Sequence, residues 1–243
     1  MSSRRVALVV VLALACSRVP ENLDKLRGAE ARLRANPHDV ESLDFILEKL
    51  DDRQKITRNN AAAILRLVAA DPKVRAAIAG KAVPALIEVA QRHDDNESEG
   101  ITALGEFHEY AAPAVPVLIH RLSEADVARA QDATVALGNV GRASAPALPL
   151  LRQQLRNNDV HFRVQSAVAI RRIAPDDGEA ITNLIELLRS SSDDARLEAI
   201  LALQELGPLA VPALPALKAY HDEKYRADVS NAIRTIKQEA ALR

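Results

Sequence analysis

The sequence predicts an all-α protein, a right-handed α-α superhelix of about six helical hairpins. Two series of apolar residues recur at a spacing of 33 residues, and prolines recur at the same spacing. The first series is Leu104, Leu137, Ile170, Leu203 and Ile236. The second is Leu118, Leu151, Leu184 and Leu217, which Leu86 precedes by 32 residues. A fixed period of this length is typical of solenoids, in which each repeat buries its apolar face against its neighbours.

The first helix of each hairpin is predicted to begin at a proline within an apolar segment. Pro84, Pro116, Pro149 and Pro215 each lie two residues before a leucine of the second series. A proline is tolerated in the first turn of a helix because the N–H groups there have no intrahelical partner. The repeat that begins near Gly178 lacks this proline but keeps its leucines.

The second helix of each hairpin is predicted from apolar and small residues at the helical period, as at positions 130, 133, 137 and 140. Small residues share two columns of the repeat: Ala133, Ser166, Ala199 and Ala232, then Ala136, Ala169 and Ala202. Such columns let neighbouring helices approach closely. Gly141 and Gly207 follow the last periodic residue, where a left-handed residue commonly ends a helix.

The same phase continues upstream with one interruption. Leu47 to Leu86 and Leu65 to Leu104 are both 39 residues apart, so residues 71–80 are predicted to add a turn of helix. The predicted organisation is a signal peptide (1–15), a tether (16–22), a capping helix (23–38), a repeat array (39–238) and a tail (239–243).

The Pro-Ala-Leu-Pro-Leu-Leu segment, the Asp and Arg residues that open the second helices and their Ala-x-x-Leu ends resemble HEAT repeats over residues 39–238. The short variety first described in phycobilisome lyases is the most similar. The resemblance implies an armadillo-like superhelix, in a family that spans scaffolds, lyase-like proteins and a few enzymes. It also implies a structural role for Arg163 and Arg196. Ala130 and Val229 replace this arginine in two repeats, so the Asp/Arg ladder is predicted to be incomplete.

The N-terminus is predicted to be a bacterial export signal. Arg4 and Arg5 supply positive charge, residues 6–14 form a short apolar core, and Ala13-Leu14-Ala15 presents small residues before Cys16. This pattern resembles a lipoprotein signal, with lipid attached to the thiol of Cys16. The mature chain would then be anchored in a bacterial membrane, facing the periplasm or the cell surface. Two alternatives stay open: release of a soluble chain by ordinary signal peptidase, and an uncleaved anchor.

Composition argues against a nucleic-acid partner. The chain has 32 basic and 33 acidic residues, a net charge of −1, and only 2% aromatic residues. A phosphate backbone requires a basic surface, and base stacking requires aromatic side chains. The single cysteine, Cys16, also precludes an internal disulfide.

Catalysis is not predicted, and neither is a cofactor or a small-molecule substrate. The best metal candidate is His108-Glu109, since deoxyhypusine hydroxylase, a HEAT-type di-iron enzyme, uses repeated His-Glu pairs. This chain has one such pair, whereas the equivalent positions in three later repeats hold other residues. A di-iron site needs ligands that converge from facing elements. His161 and the other histidines at unrelated phases are predicted to be exposed to solvent.

The face of the second helices opposite the buried stripe predicts a partner-binding groove. This face is polar at both ends of the array and aliphatic in the middle. The predicted groove consists of Val135, Val164, Val168, Leu197 and Leu201, rimmed by Arg171, Arg172, Gln165, Glu198, Gln204 and Glu205. The alternative is that these aliphatic side chains pack laterally between adjacent second helices.

The sequence therefore favours a non-catalytic scaffold of the cell envelope that binds a protein partner and contacts the membrane through its N-terminal lipid only. Two other functions stay open. One is a metal-dependent enzyme using His108 and Glu109, and the other is a spacer without a specific ligand.

Overall fold

The computed structural model describes residues 21–92, 97–124 and 126–242, and within these ranges the ordered elements are all helical. The predicted signal peptide and Cys16 lie outside the described residues. The chain divides into two compact units, Met1–Ile78 and Ala79–Arg243. Each unit is an assembly of helices in its own right.

The first unit is a three-helix assembly followed by the start of a fourth helix. Its helices are α1 (Glu21–Ala35), α2 (Val40–Glu48) and α3 (Lys55–Ala69), with a 3-10 turn at Lys49–Asp51. Helix α1 packs on both α2 and α3, and it buries Leu23, Leu26, Ala29 and Leu33. The side chain of Asp39 accepts a hydrogen bond from the backbone N–H of Ser42 at 3.1 Å and so caps the start of α2.

Helix α4 (Pro72–Gln91) begins in the first unit and ends in the second. It is followed by the second helix of its own hairpin, α5, and then by four further hairpins. Its remaining helices are α5 (Glu97–Glu106), α6 (Val115–Leu122), α7 (Val127–Val140), α8 (Leu148–Gln154), α9 (Val160–Ile173), α10 (Gly178–Leu187), α11 (Asp193–Leu206), α12 (Leu214–Lys218) and α13 (Arg226–Ala240).

Stacking of the second helices organises this unit. Helices α5, α7, α9, α11 and α13 pack against one another in chain order, and α6, α8, α10 and α12 each pack on the second helix that follows them. Every residue of the two 33-residue series is fully buried, as are Ala133, Ser166, Ala199 and Ala232. The predicted all-α repeat fold is therefore confirmed.

Prolines shape the connections between hairpins. Three 3-10 segments, His108–Ala114, Gly141–Ala147 and Gly207–Ala213, join a second helix to the next first helix, and each contains a proline at the same position of the repeat. A second proline occupies the first turn of α6, α8 and α12, as predicted. Where these prolines are missing, Asp177 caps the helix by accepting hydrogen bonds from two backbone N–H groups, and α10 begins at Gly178.

The expectation that Pro84 begins a helix is wrong. It lies inside α4, because residues 72–83 form a continuous helix with the segment that follows. Residues 72–83 therefore add several turns to the N-terminal end of α4, the first helix of its hairpin. Pro84 supplies no N–H to the carbonyl of Gly80, the residue one turn earlier.

One stretch of the described residues, Asp193–Lys218, is long and apolar enough on average to cross a bilayer. The fold divides it into α11, a 3-10 segment and α12. Core helices of water-soluble domains meet the same length and composition criteria, and Ala199, Leu203 and Ala213 of this stretch are fully buried within the unit.

A buried ion pair joins α5 to α6. Arg121 and Glu97 are each 1% exposed, and Arg121 Nε lies 2.8 Å from Glu97 Oε1. Arg121 also donates hydrogen bonds to the carbonyls of Ala90 at 2.9 Å and Arg92 at 3.2 Å. Its guanidinium therefore joins Ala90 and Arg92, at the end of α4, to helices α5 and α6.

Glu97 is acidic at a position where other repeats have arginine. The equivalent of Glu97 in the repeat of α11 is Arg196, which donates to the carbonyl of Ser190 in its own loop at 2.7 Å. Glu97 cannot donate, so Arg121 reaches in from the next first helix and supplies the donor. The loop carbonyls keep an arginine partner although the ladder is interrupted.

We predict that Arg121→Met destabilises the protein by about 3–5 kcal/mol, because it leaves the carboxylate of Glu97 buried without its main cation. Arg129 stays near that carboxylate, with Nε 3.7 Å from Oε2, so the lower end of the range is expected. Urea unfolding followed by circular dichroism measures the change. Arg226→Ala, at an exposed ion pair with Glu223, is the control and should leave the unfolding midpoint unchanged. Equal midpoints for both variants would contradict the prediction.

Candidate partner-binding groove

The exposed face of helices α7, α9 and α11 forms a groove with a volume of about 340 Å³. We call this feature the second-helix groove. Its lining residues are Val135, Gly138, His161, Val164, Gln165, Val168, Ala169, Arg172, Glu198, Leu201, Ala202 and Glu205. All of them belong to the second unit.

Helix α9 forms the floor of the groove, and α7 and α11 form its walls. Val135 of α7 is 40% exposed and Leu201 of α11 is 48% exposed, whereas Val164 and Val168 of α9 are 7% and 8% exposed. Val168 is the equivalent of Val135 and Leu201 in the repeat, and of these three it is the one that has an aliphatic equivalent on both neighbouring second helices. The expectation that Val164 and Val168 face solvent is wrong. They pack laterally and present only their edges.

Gly138 allows α9, the floor of the groove, to approach α7, one of its walls. A Cβ atom on Gly138 would lie 2.9 Å from the Cα atom of Ala169, which is closer than real side chains approach. The backbones of α7 and α9 therefore meet at this point. Ala169 and Ala202 continue the row of small residues toward α11, which keeps the groove open between the larger side chains of its walls.

Three residues predicted for the groove or its rim lie outside its lining. Leu197 is half-buried and does not contribute to the lining. Arg171 is 5% exposed, and its guanidinium donates to the backbone carbonyls of Asp177 and Leu209. Burial lowers the pKa of Arg171, against the opposing effect of Asp176 and Asp177. Its column holds glycine at Gly105 and Gly138, and this indicates a position that faces the next repeat.

Gln204, also predicted at the rim, is absent from the lining as well. The remaining predicted residues, Val135, Val164, Val168, Leu201 and Arg172, come together with Gln165, Glu198 and Glu205.

A polar cluster closes the end of the groove nearest the start of α9. His161 Nδ1 lies 3.3 Å from Glu198 Oε2, and His161 Nε2 lies 2.8 Å from Gln165 Nε2. Both contacts are satisfied by a neutral ring that donates from Nδ1 to the carboxylate and accepts at Nε2 from the amide. Gln165 Oε1 is buried and has no hydrogen-bond partner among the described residues. His161 is exposed, as expected, but its place beside Glu198 was not predicted.

A second cluster closes the other end. Arg172 donates to Asn139 Oδ1 at 2.6 Å and to Glu205 Oε1 at 2.5 Å. These contacts bridge α7, α9 and α11 in a single row. The side chain of Glu205 remains 56% exposed, so its carboxylate can accept a further cation.

The lining carries more negative than positive charge. Glu198 and Glu205 are opposed by Arg172 alone when His161 is neutral. On α7, burial raises the pKa of Asp132, against the lowering effect of its hydrogen bond from Ser98. A cation that approaches this face meets two carboxylates at the groove itself.

His108 and Glu109 begin the 3-10 segment that joins α5 to α6. His108 follows α5 with a φ of 48°, and its equivalents Gly141 and Gly207 also have positive φ. Its Nδ1 lies 3.2 Å from the carbonyl oxygen of Asn139 on the next second helix. Within the residues that the structure describes, no group of three His, Cys, Asp or Glu side chains is placed to hold a metal ion.

Part of the chain matches a known family of repeat proteins. Residues 115–204, which run from α6 into α11, match the family of HEAT repeats. The fold is a HEAT or armadillo-type helical solenoid. No curated protein matches the chain significantly.

Similar solved structures support this fold. An engineered protein is 21% identical, with 95% of this chain and 67% of that chain covered and a TM-score of 0.59. A designed armadillo repeat protein in complex with the peptide (KR)4 is 17% identical over 80% of this chain and 99% of that chain, with a TM-score of 0.54. The archaeal HEAT-like repeats protein from Thermococcus onnurineus NA1 is 11% identical over 92% and 100%, with a TM-score of 0.51.

We predict that a charged substitution destabilises the protein at the floor of the groove but not at its wall. Val168→Asp should cost more than about 2 kcal/mol, because it places a carboxylate in a laterally packed position. Leu201→Glu should change stability by less than about 0.5 kcal/mol, because this side chain already faces water. Thermal and urea unfolding of both variants measure the difference. A Val168→Asp variant as stable as the wild type would show that α9 is not recessed.

Proposed function

We propose that this protein is a non-catalytic scaffold that binds a protein partner at the second-helix groove. The observation that carries the proposal is the aliphatic strip across three helices, with exposed walls at Val135 and Leu201. Repeat solenoids commonly use such extended surfaces for binding. A similar solved structure, the designed armadillo repeat protein, holds a peptide, which supports a protein segment as the occupant here.

The groove is one anchor within a larger interface. Covering the exposed parts of Val135 and Leu201 contributes about 0.6–1.4 kcal/mol each. Association costs about 4–15 kcal/mol in lost freedom of motion. The partner must therefore add apolar side chains of its own, together with contacts outside the groove.

Capture of the partner tests the proposal. A photo-crosslinking amino acid at position 201, in cells of the native host, should yield a discrete conjugate that is identified by mass spectrometry. The paired change Val135→Glu and Leu201→Glu should reduce co-purification of that protein by at least about tenfold. Val127→Glu is the matched control, because Val127 is 50% exposed on α7 but lies outside the groove lining.

Equal recovery from the wild type and the paired variant would contradict a role for the groove. If a crosslinker at position 201 captures no protein above the level of a crosslinker at position 127, the spacer function is favoured.

We further propose export and lipid attachment at Cys16, with the repeats facing the periplasm or the cell surface. The proposal rests on the charged, apolar and small segments that precede Cys16. Export suits a scaffold whose partner lies in the cell envelope.

Metabolic labelling with radioactive palmitate tests this proposal. The wild-type chain should carry label and sediment with membranes, whereas Cys16→Ser should carry none. A mature chain that lacks lipid and begins after Ala15 would instead indicate ordinary signal peptidase. A chain that retains residues 1–15 would indicate an uncleaved anchor.

A further inference from the structure

The groove differs along its length in what it offers a partner. Its middle presents Val135, Val164, Val168 and Leu201 with the small residues between them, and none of these side chains forms hydrogen bonds. Its polar groups lie at the two ends, where His161 and Gln165 contact each other and Arg172 bonds to Asn139 and Glu205. A segment lying in the middle finds no donor or acceptor there.

This distribution favours a helical occupant over an extended one. An extended segment carries an unpaired N–H and C=O at nearly every residue, and burial of such groups without partners is costly. A helix pairs these groups internally and presents side chains alone. An amphipathic helix in an apolar groove is a recurrent mode of peptide recognition.

The spacing between the two carboxylates of α11 matches the spacing of residues along a partner helix. Glu198 and Glu205 both line the groove, seven residues apart, and Leu201 lies between them. Seven residues correspond to about 10.5 Å along a helix. A partner helix lying alongside α11 repeats this distance between its own residues i and i+7. Its residues i+3 and i+4 then face Leu201 and the valines of α9.

The charge of the lining selects cations for those two positions. Glu198 is partly exposed beside His161, and Glu205 is more than half exposed beside Arg172. Each carboxylate can accept a second donor from a partner. Two acidic groups against one arginine leave the lining short of positive charge.

We propose that the second-helix groove binds an amphipathic helix of about three turns, with Leu-like residues at i+3 and i+4 and Lys or Arg at i and i+7. The length follows from the separation of His161 and Arg172, which are 11 positions apart in sequence and so about 16 Å apart along α9. This inference rests on the proposed function of the groove and specifies the chemistry of its occupant.

Fluorescence anisotropy with labelled synthetic peptides tests the inference. The probe is an alanine-rich peptide of about 18 residues, long enough to be partly helical alone, with Lys at i and i+7 and Leu at i+3 and i+4. One comparison peptide has both Lys replaced by Glu. A second has proline at a central position on the outer face, which prevents the helix. We expect the probe to bind the wild-type protein about tenfold more tightly than either comparison peptide.

Charge reversal in the protein provides the matched control. The double variant Glu198→Lys and Glu205→Lys should prefer the Glu peptide over the Lys peptide. Glu198→Gln with Glu205→Gln should lose the preference for the Lys peptide, because Arg172 is then the remaining charged side chain opposite the two positions, and this variant serves in place of the Lys variant if that variant fails to fold. Circular dichroism establishes folding in each case.

The outcomes separate this inference from the proposed function. Equal binding of the proline peptide overturns the helical occupant, and equal binding of the Glu peptide overturns the basic one. A probe that does not bind, while crosslinking at position 201 still captures a partner sensitive to Val135→Glu and Leu201→Glu, overturns this inference alone. If capture of that partner is unaffected by Val135→Glu and Leu201→Glu, the proposed function of the groove is overturned as well.

Discussion

The rest of the structure depends on the close approach of successive second helices. Ala133, Ser166, Ala199 and Ala232 are fully buried in one column, and Gly138 admits the backbone of Ala169 where any side chain would collide. Small residues leave no room for water or rotamer change, so the helices share one rotational phase. A shared phase makes a given column point in the same direction in every repeat. The column of a residue therefore sets the direction of its side chain, and the side chains beside it decide how far it is buried.

The groove follows from this constraint combined with local variation in two columns. The column of Val135 reads Thr102, Val135, Val168, Leu201 and Arg234, so its aliphatic part is limited to α7, α9 and α11. Because the phase is common, three consecutive aliphatic residues form one continuous strip. The column that contains Glu198 and the one that contains Glu205 then place polar groups on either side of it. Substitution in a few columns can thus create a binding surface without changing the stacking beneath.

The 33-residue period was sufficient to predict the helical hairpins and their buried residues, because burial in a repeat fold is itself periodic. The recessed position of Val164 and Val168 was not predictable from a helical wheel. A wheel describes one helix, whereas burial also depends on the side chains that the neighbouring helices place beside a residue. Arg171 was misplaced for a related reason. Its column holds Gly105 and Gly138, and glycine there marks a helix-to-helix contact, so an arginine must extend to the loop carbonyls.

The ion pair of Glu97 and Arg121 shows how far a repeat can depart from its pattern while keeping the function of a position. Each loop before a second helix has backbone carbonyls that need a donor when buried. In the repeat of α11 the donor comes from the second helix itself, through Arg196. In the repeat of α5 the same column is acidic, and the donor comes from the following first helix. The loop carbonyls need a hydrogen-bond donor, and it can come either from the second helix or from the first helix that follows. What this arrangement demands in addition is the buried carboxylate, which balances the charge of an arginine that solvent cannot reach.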